Sequence, residues 1–184
     1  MKKTILLIVA CAFAFATVQA QSSEVETTTQ LTKAEQFKLN CSFIKEAEIY
    51  KYEGFGSQVL VKLFTDLKSN EQLVALEFCK VLASDISLSL GYLDMDQVDD
   101  LLFALENILK GSSNATKKDK FIISYTAPSG IDVDYNHNSD DIVTLRRKGT
   151  YDYKFAVTLG VAGLPKLISS IKEAQVIANQ ALAK

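Results

Sequence analysis

The chain predicts an α+β fold in which a unit of about four strands and one helix is used twice, giving two antiparallel sheets with two packed helices. Three observations predict it. Apolar residues alternate with polar or small ones in short segments along most of the chain. That period of two gives way to three- and four-residue spacing at 94–110 and again from about residue 162. The two helical stripes also superpose: Val98, Leu102 and Leu105 match Leu164, Ile168 and Ile171 at a constant offset of 66 residues. Leu90-Gly91 matches Leu159-Gly160 at an offset of 69, which implies three extra residues in the first strand-to-helix link.

Residues 1–20 read as a secretory signal. Lys2 and Lys3 precede an apolar run over 5–18, and Val18-Gln19-Ala20 offers the small residues that a signal peptidase reads. Ile8-Val9-Ala10-Cys11 also has the form of a lipobox, but cleavage there would leave the apolar Ala12 to Ala16 stretch next to the lipid, where a polar tether is usual. The mature chain is therefore expected to begin at Gln21 without lipid, and to be periplasmic or secreted. The apolar run is shorter than the ~20 residues that cross a bilayer, so no membrane span is expected in the mature chain.

Residues 21–36 are dominated by Ser, Thr, Glu and Gln and read as a flexible segment, with a helical turn open at 33–38. A single α+β domain is expected over 37–184, with halves at about 37–111 and 120–184. Strands are predicted at 42–52, 58–67, 72–82 and 85–90, the second and third joined by the polar turn Lys68-Ser69-Asn70-Glu71. The helix 94–110 has Asp94 at its N-cap, acids in its first turn, Lys110 in its last, and Gly111 as its stop. After the polar loop 111–120, four short strands carry Phe121-Ile123-Tyr125, Ile131-Val133-Tyr135, Val143-Leu145 and the long alternation from Tyr151 to Leu159. The terminal helix places Pro165 in its first turn, where a missing N–H is harmless.

Charge narrows the partners. Without the two signal lysines the chain carries 18 basic and 22 acidic residues, a net charge of −4, and Arg146-Arg147-Lys148 is its one short basic cluster. Nucleic acid is therefore not an expected partner. Cys41 and Cys79 survive processing, so one disulfide is a candidate in an oxidising compartment, with two free buried thiols as the alternative.

Asp132-x-Asp134-x-Asn136-x-Asn138-x-Asp140 is the one metal candidate, since oxygen ligands at every second position match the start of a calcium loop. His137 stands where that loop needs glycine and Val143 where it needs a bidentate glutamate, so the polar face of a strand running into a turn explains the pattern better. Calcium, bound through Asp132, Asp134, Asn136 and Asp140, is the one cofactor considered. The acids Asp94, Asp96, Asp99 and Asp100 suit a helix N-terminus without any ligand. Tyr50, Tyr52 and Phe55, and Tyr151 with Tyr153, form aromatic faces that suit core packing or stacking, with core the expectation because they alternate with polar neighbours. No nucleophile, base and orienter fall into a recognisable spacing, His137 being the single histidine.

A four-strand-plus-helix unit used twice, with a strand leading directly into each helix, resembles the order of elements in Whirly and PUR-alpha type single-strand nucleic-acid-binding proteins. The resemblance lies in the order of elements and implies the fold; the export signal and acidic charge point away from their function. The expected function is that of an exported non-enzymatic protein that binds a protein, a polysaccharide or a small ligand. The alternatives are a secreted hydrolase acting through Asp or Glu carboxylates and a calcium-dependent binding module. Asn40-Cys41-Ser42 and Asn114-Ala115-Thr116 are glycosylation sequons if the source is eukaryotic.

Overall fold

The computed structural model describes residues 30–83, 86–116, 118–128, 130–137 and 141–183; the expected signal, 1–20, lies outside them. A short helix α1 (Lys33–Asn40) precedes strands β1 (Ile44–Gly54), β2 (Ser57–Asp66), β3 (Gln72–Ala83) and β4 (Ile86–Asp94) and helix α2 (Val98–Asn114). Strands β5 (Phe121–Thr126), β6 (Ile131–His137), β7 (Ile142–Arg147) and β8 (Ala156–Gly160) and helix α3 (Leu164–Leu182) follow. The strands form two four-stranded antiparallel sheets, each in simple sequence order, as the alternation predicts.

The duplication is tighter than the sequence suggests. Strand β4 ends at Asp94 and β8 at Gly160, each runs into a single 3-10 turn (Met95–Gln97, Val161–Gly163), and the helices then start at Val98 and Leu164. Each of these landmarks is separated by 66 residues, so the three-residue insertion is not there. Leu90-Gly91 lies inside β4, and the true counterpart of Leu159-Gly160 is Leu93-Asp94.

Other boundaries shift for physical reasons. Packing begins at Thr32, ahead of the expected start at Phe37, because Thr32 and Glu35 form a reciprocal capping box and Ala34 is buried. The Asp94 carboxylate does not cap its own helix; both its oxygens accept from the Lys33 N–H at 3.0 and 2.9 Å, so it caps α1 across 61 residues of sequence. Gly111 does not stop α2, which continues to Asn114. It is instead where the helix approaches β5: a Cβ there would lie 3.1 Å from Ile123 Cδ1.

The two helices are exchanged between the halves. Helix α3 lies against β1, β2 and β3; Tyr50 donates to Glu173 at 3.0 Å, and the Lys166 ammonium stands over the Tyr52 ring. Helix α2 lies against β5 and α3, tied to α3 by Lys172–Glu106 and by Gln175–Asp99. One continuous core therefore draws Val59, Leu76 and Phe78 from the first sheet, Val133, Tyr135 and Leu159 from the second, and both helix stripes. The sheets meet where Gly130, at φ +83°, presses on β4: a Cβ there would lie 1.8 Å from the Tyr92 carbonyl oxygen. Beside it Arg147 donates to the carbonyls of Leu90 and Ser89 at 2.9 and 3.0 Å, closing the β4 edge. No helix among the described residues is long and apolar enough to cross a membrane.

Candidate functional site

Because both long helices occupy inner faces, each sheet turns an outer face away from the core, and the two outer faces differ in kind. That of the first sheet is a charged groove of about 570 Å³ whose floor is laced with ion pairs. Lys62, at its centre, lies 3.2, 3.9 and 3.7 Å from the carboxylates of Glu46, Glu48 and Glu77. Burial works against the Lys62 charge, but the Glu46 hydrogen bond and the surrounding carboxylates outweigh it and raise its pKa. Helix α1 covers the far end: Lys38 reaches Glu46 and the Tyr92 hydroxyl at 3.2 and 3.1 Å over the rings of Phe64 and Tyr92. Beneath this network Cys79 is buried, and burial, with Glu77 nearby, pushes its thiol up to about 12, far from reactive.

Cys41 and Cys79 are both free thiols. Cys41 is the C-cap of α1, with Asp66 and Glu71 of the β2–β3 turn as its charged neighbours. Cys79 pairs with Gln58, at the opposite end of β2. The seven residue steps from Gln72 to Cys79 span roughly 23 Å of strand, far beyond disulfide reach.

The outer face of the second sheet has an aromatic wall in place of that charged network. A groove of about 650 Å³ runs across all four strands. Its floor follows the cross-strand register: one rung is Ser124, Asp134, Thr144 and Thr158, and it is flanked by Ile122, Asn136 and Ile142 on one side and Arg146 and Ala156 on the other. Ser124, Thr144, Thr158 and Ala156 keep the middle of this floor low, and the larger Ile122, Ile142, Asn136 and Arg146 stand around them. The wall is the β7–β8 connection, which carries Tyr151 and Tyr153 at 86% and 82% exposure.

These tyrosines overturn the expectation of core packing. The strand predicted from Tyr151 begins only at Ala156, because Asp152 accepts from the Lys154 N–H and starts a 3-10 turn over Tyr153–Phe155. The turn breaks the alternation, so the two rings leave the sheet plane. Arg146 holds the wall to the floor, paired with the Asp134 carboxylate while its guanidinium lies 5.1 Å from the Tyr151 ring centroid. Lys80 of β3 supports the wall from outside, donating to the Tyr153 carbonyl at 2.9 Å.

The calcium candidates fall on this same face. Asp132, Asp134 and Asn136 lie along straight strand β6, successive ones about 7 Å apart, and Asp140 lies outside the described residues. Asp134 and Asn136 line the groove. Asp132 is only 7% exposed, and burial raises its pKa against the pull of Arg146 and Lys148. Among the described residues no three His, Cys, Asp or Glu side chains gather as a metal site.

Behind the groove, on the inner face, His137 is 5% exposed and engaged at both ring nitrogens, with Asp141 Oδ1 at 2.5 Å and the Thr116 carbonyl at 3.0 Å. The Tyr135 hydroxyl completes the cluster, 2.9 Å from both His137 Nδ1 and Asp141 Oδ1, and Phe121 stacks on the imidazole. The Thr116 carbonyl and then the Asp141 carboxylate raise the His137 pKa. With an acceptor at each nitrogen the ring is a structural tie between the α2–β5 loop and the segment leading into β7.

No family model matches the chain, and no curated protein matches it.

Proposed function

We propose that this is an exported, non-enzymatic binding protein whose ligand lies in the groove on the outer face of the β5–β8 sheet. The observation that carries the reading is the pair Tyr151 and Tyr153, two large rings held in solvent beside a groove whose floor mixes hydroxyl and apolar side chains. Aromatic side chains beside a concave surface with a few polar groups are the lining that ligand sites use. Export is supported by the Lys2-Lys3, apolar run and Val18-Gln19-Ala20 sequence of the first 20 residues.

A binding role suits the groove better than hydrolysis. Paired-carboxylate chemistry uses two carboxyl groups facing each other across a substrate bond. Here Asp134 is the carboxylate that lines the groove and it is held by Arg146, while Asp132 is buried beside it on the same strand. The test is an amide-resolved NMR screen of the chain from Gln21 onward against a mixed library of monosaccharides, dipeptides and nucleotides. Shifts clustering on Ser124, Thr144, Thr158 and the Tyr151–Tyr153 wall are expected. Shifts clustering on the first sheet, or turnover of any library member, would reject the reading.

A further inference from the structure

We propose that the groove ligand is an uncharged glycan, with pyranose rings stacked on Tyr151 and Tyr153 and their hydroxyls bonded to the floor; this deepens the binding reading above and rests on it. The chemistry of the two surfaces corresponds. A pyranose has C–H faces that pack on aromatic rings and a rim of hydroxyls, each both donor and acceptor. The groove presents two exposed rings on one wall. Its floor presents the hydroxyls of Ser124, Thr144 and Thr158 and the Asn136 amide, all groups that donate and accept at once. The rung crosses four strands, about 14 Å, which is room for a short run of sugar rings.

Charge selects against the anionic alternatives. The cations around the groove are engaged within the protein: Arg146 with Asp134, Arg147 with the Leu90 and Ser89 carbonyls, Lys148 with the Ala127 and Pro128 carbonyls, and Lys80 with the Tyr153 carbonyl. Asp152 and Lys154 add one charge of each sign to the wall. Apart from Lys154, which has the Asp152 carboxylate two residues before it on the same wall, a phosphate or uronate would have to displace one of these bonds to find a cation, whereas a neutral polyol leaves them all in place. Strand addition by a peptide would use a sheet edge, and the groove lies on a face.

The experiment titrates the chain from Gln21 onward with cellohexaose, maltohexaose, laminarihexaose and chitohexaose, with oligogalacturonate and dT12 as charged comparators. The protein has seven tyrosines and no tryptophan, so groove amide shifts are the primary readout, and the part of any tyrosine emission change that Tyr151→Ala and Tyr153→Ala abolish reports on the wall. At least one neutral hexasaccharide should bind, with Tyr151→Ala and Tyr153→Ala each weakening it about tenfold, an effect of stacking size. Raising the salt should leave the affinity unchanged. Both tyrosines are exposed, so the variants should keep the parent melting temperature. Binding of oligogalacturonate or dT12 in the groove, steeply weakened by salt, would overturn the neutral-glycan inference and leave the groove reading standing. Failure of the hexasaccharides while dipeptides or nucleotides shift groove amides would have the same effect. If nothing shifts them, both readings fall.

Discussion

Two single residues carry tests of their own. The acceptors that hold His137 from both sides are the Thr116 carbonyl and Asp141, with the Tyr135 hydroxyl, the Phe121 ring and the Asp119 charge completing its surroundings. Its pKa in the folded protein is raised above 6.5, so folding binds a proton that the unfolded chain releases earlier. The stabilisation is complete below about pH 6.5, where both states are protonated, and is lost as pH rises through the folded value. Urea unfolding across that window should show stability falling with pH, and His137→Gln should flatten the slope. A slope of opposite sign would mean that the imidazole is held neutral. Gly130 offers the second test. A methyl group there meets the Tyr92 carbonyl at 1.8 Å, whereas at Gly56, whose φ is also positive, it meets nothing within 4 Å. Gly56→Ala should therefore cost only the left-handed backbone term of ~1–2 kcal/mol, with Gly130→Ala clearly above it in a paired denaturation experiment. Equal costs would show that the two sheets yield easily at their contact.

At the scale of the element, α2 separates packing from charge. Leu105 is fully buried in the common core, and Leu105→Ala should lower stability by ~2–5 kcal/mol in chemical denaturation. Asp99, in the first helical turn with its side chain on Gln175, sits in solvent, and Asp99→Asn should cost only a few tenths of a kcal/mol. A larger loss at Asp99 would mean that the acidic turn has a partner beyond Gln175. The same helix shows what the sequence discloses. Its apolar stripe was legible because burial on one face imposes a spacing, and the eight strands and the duplication were legible for the same reason. Its ends were not, since Asp94 serves a different helix and Gly111 answers a strand, and both contacts are tertiary. The site was half legible. Asp134 and Asn136 stood out as an oxygen-rich row, but Tyr151 and Tyr153 looked like core because alternation alone cannot see the 3-10 turn that swings them out. The Asp152 side chain that starts this turn was the local signal that could have found them.

For the whole molecule the exchange of helices decides how the halves depend on each other. Strands β1, β2 and β3 are roofed by α3, and α2 lies on β5 and on α3, so each long helix packs chiefly on the other half's sheet and both join one core. Fragments 30–116 and 118–183 should each lack a cooperative thermal transition and bind a hydrophobic dye, while the intact chain melts in one step by calorimetry. A cooperative melt of either fragment alone would show that the repeats are autonomous. The arrangement also sets an order in time. A ribosome releases the chain from its N-terminus, so the first sheet is complete long before its roof exists: α2 and all of the second sheet are made before the 19 residues of α3. Until α3 is made an apolar sheet face waits for its partner, which makes the nascent chain a natural client for a holding chaperone and sets its closure after the second sheet.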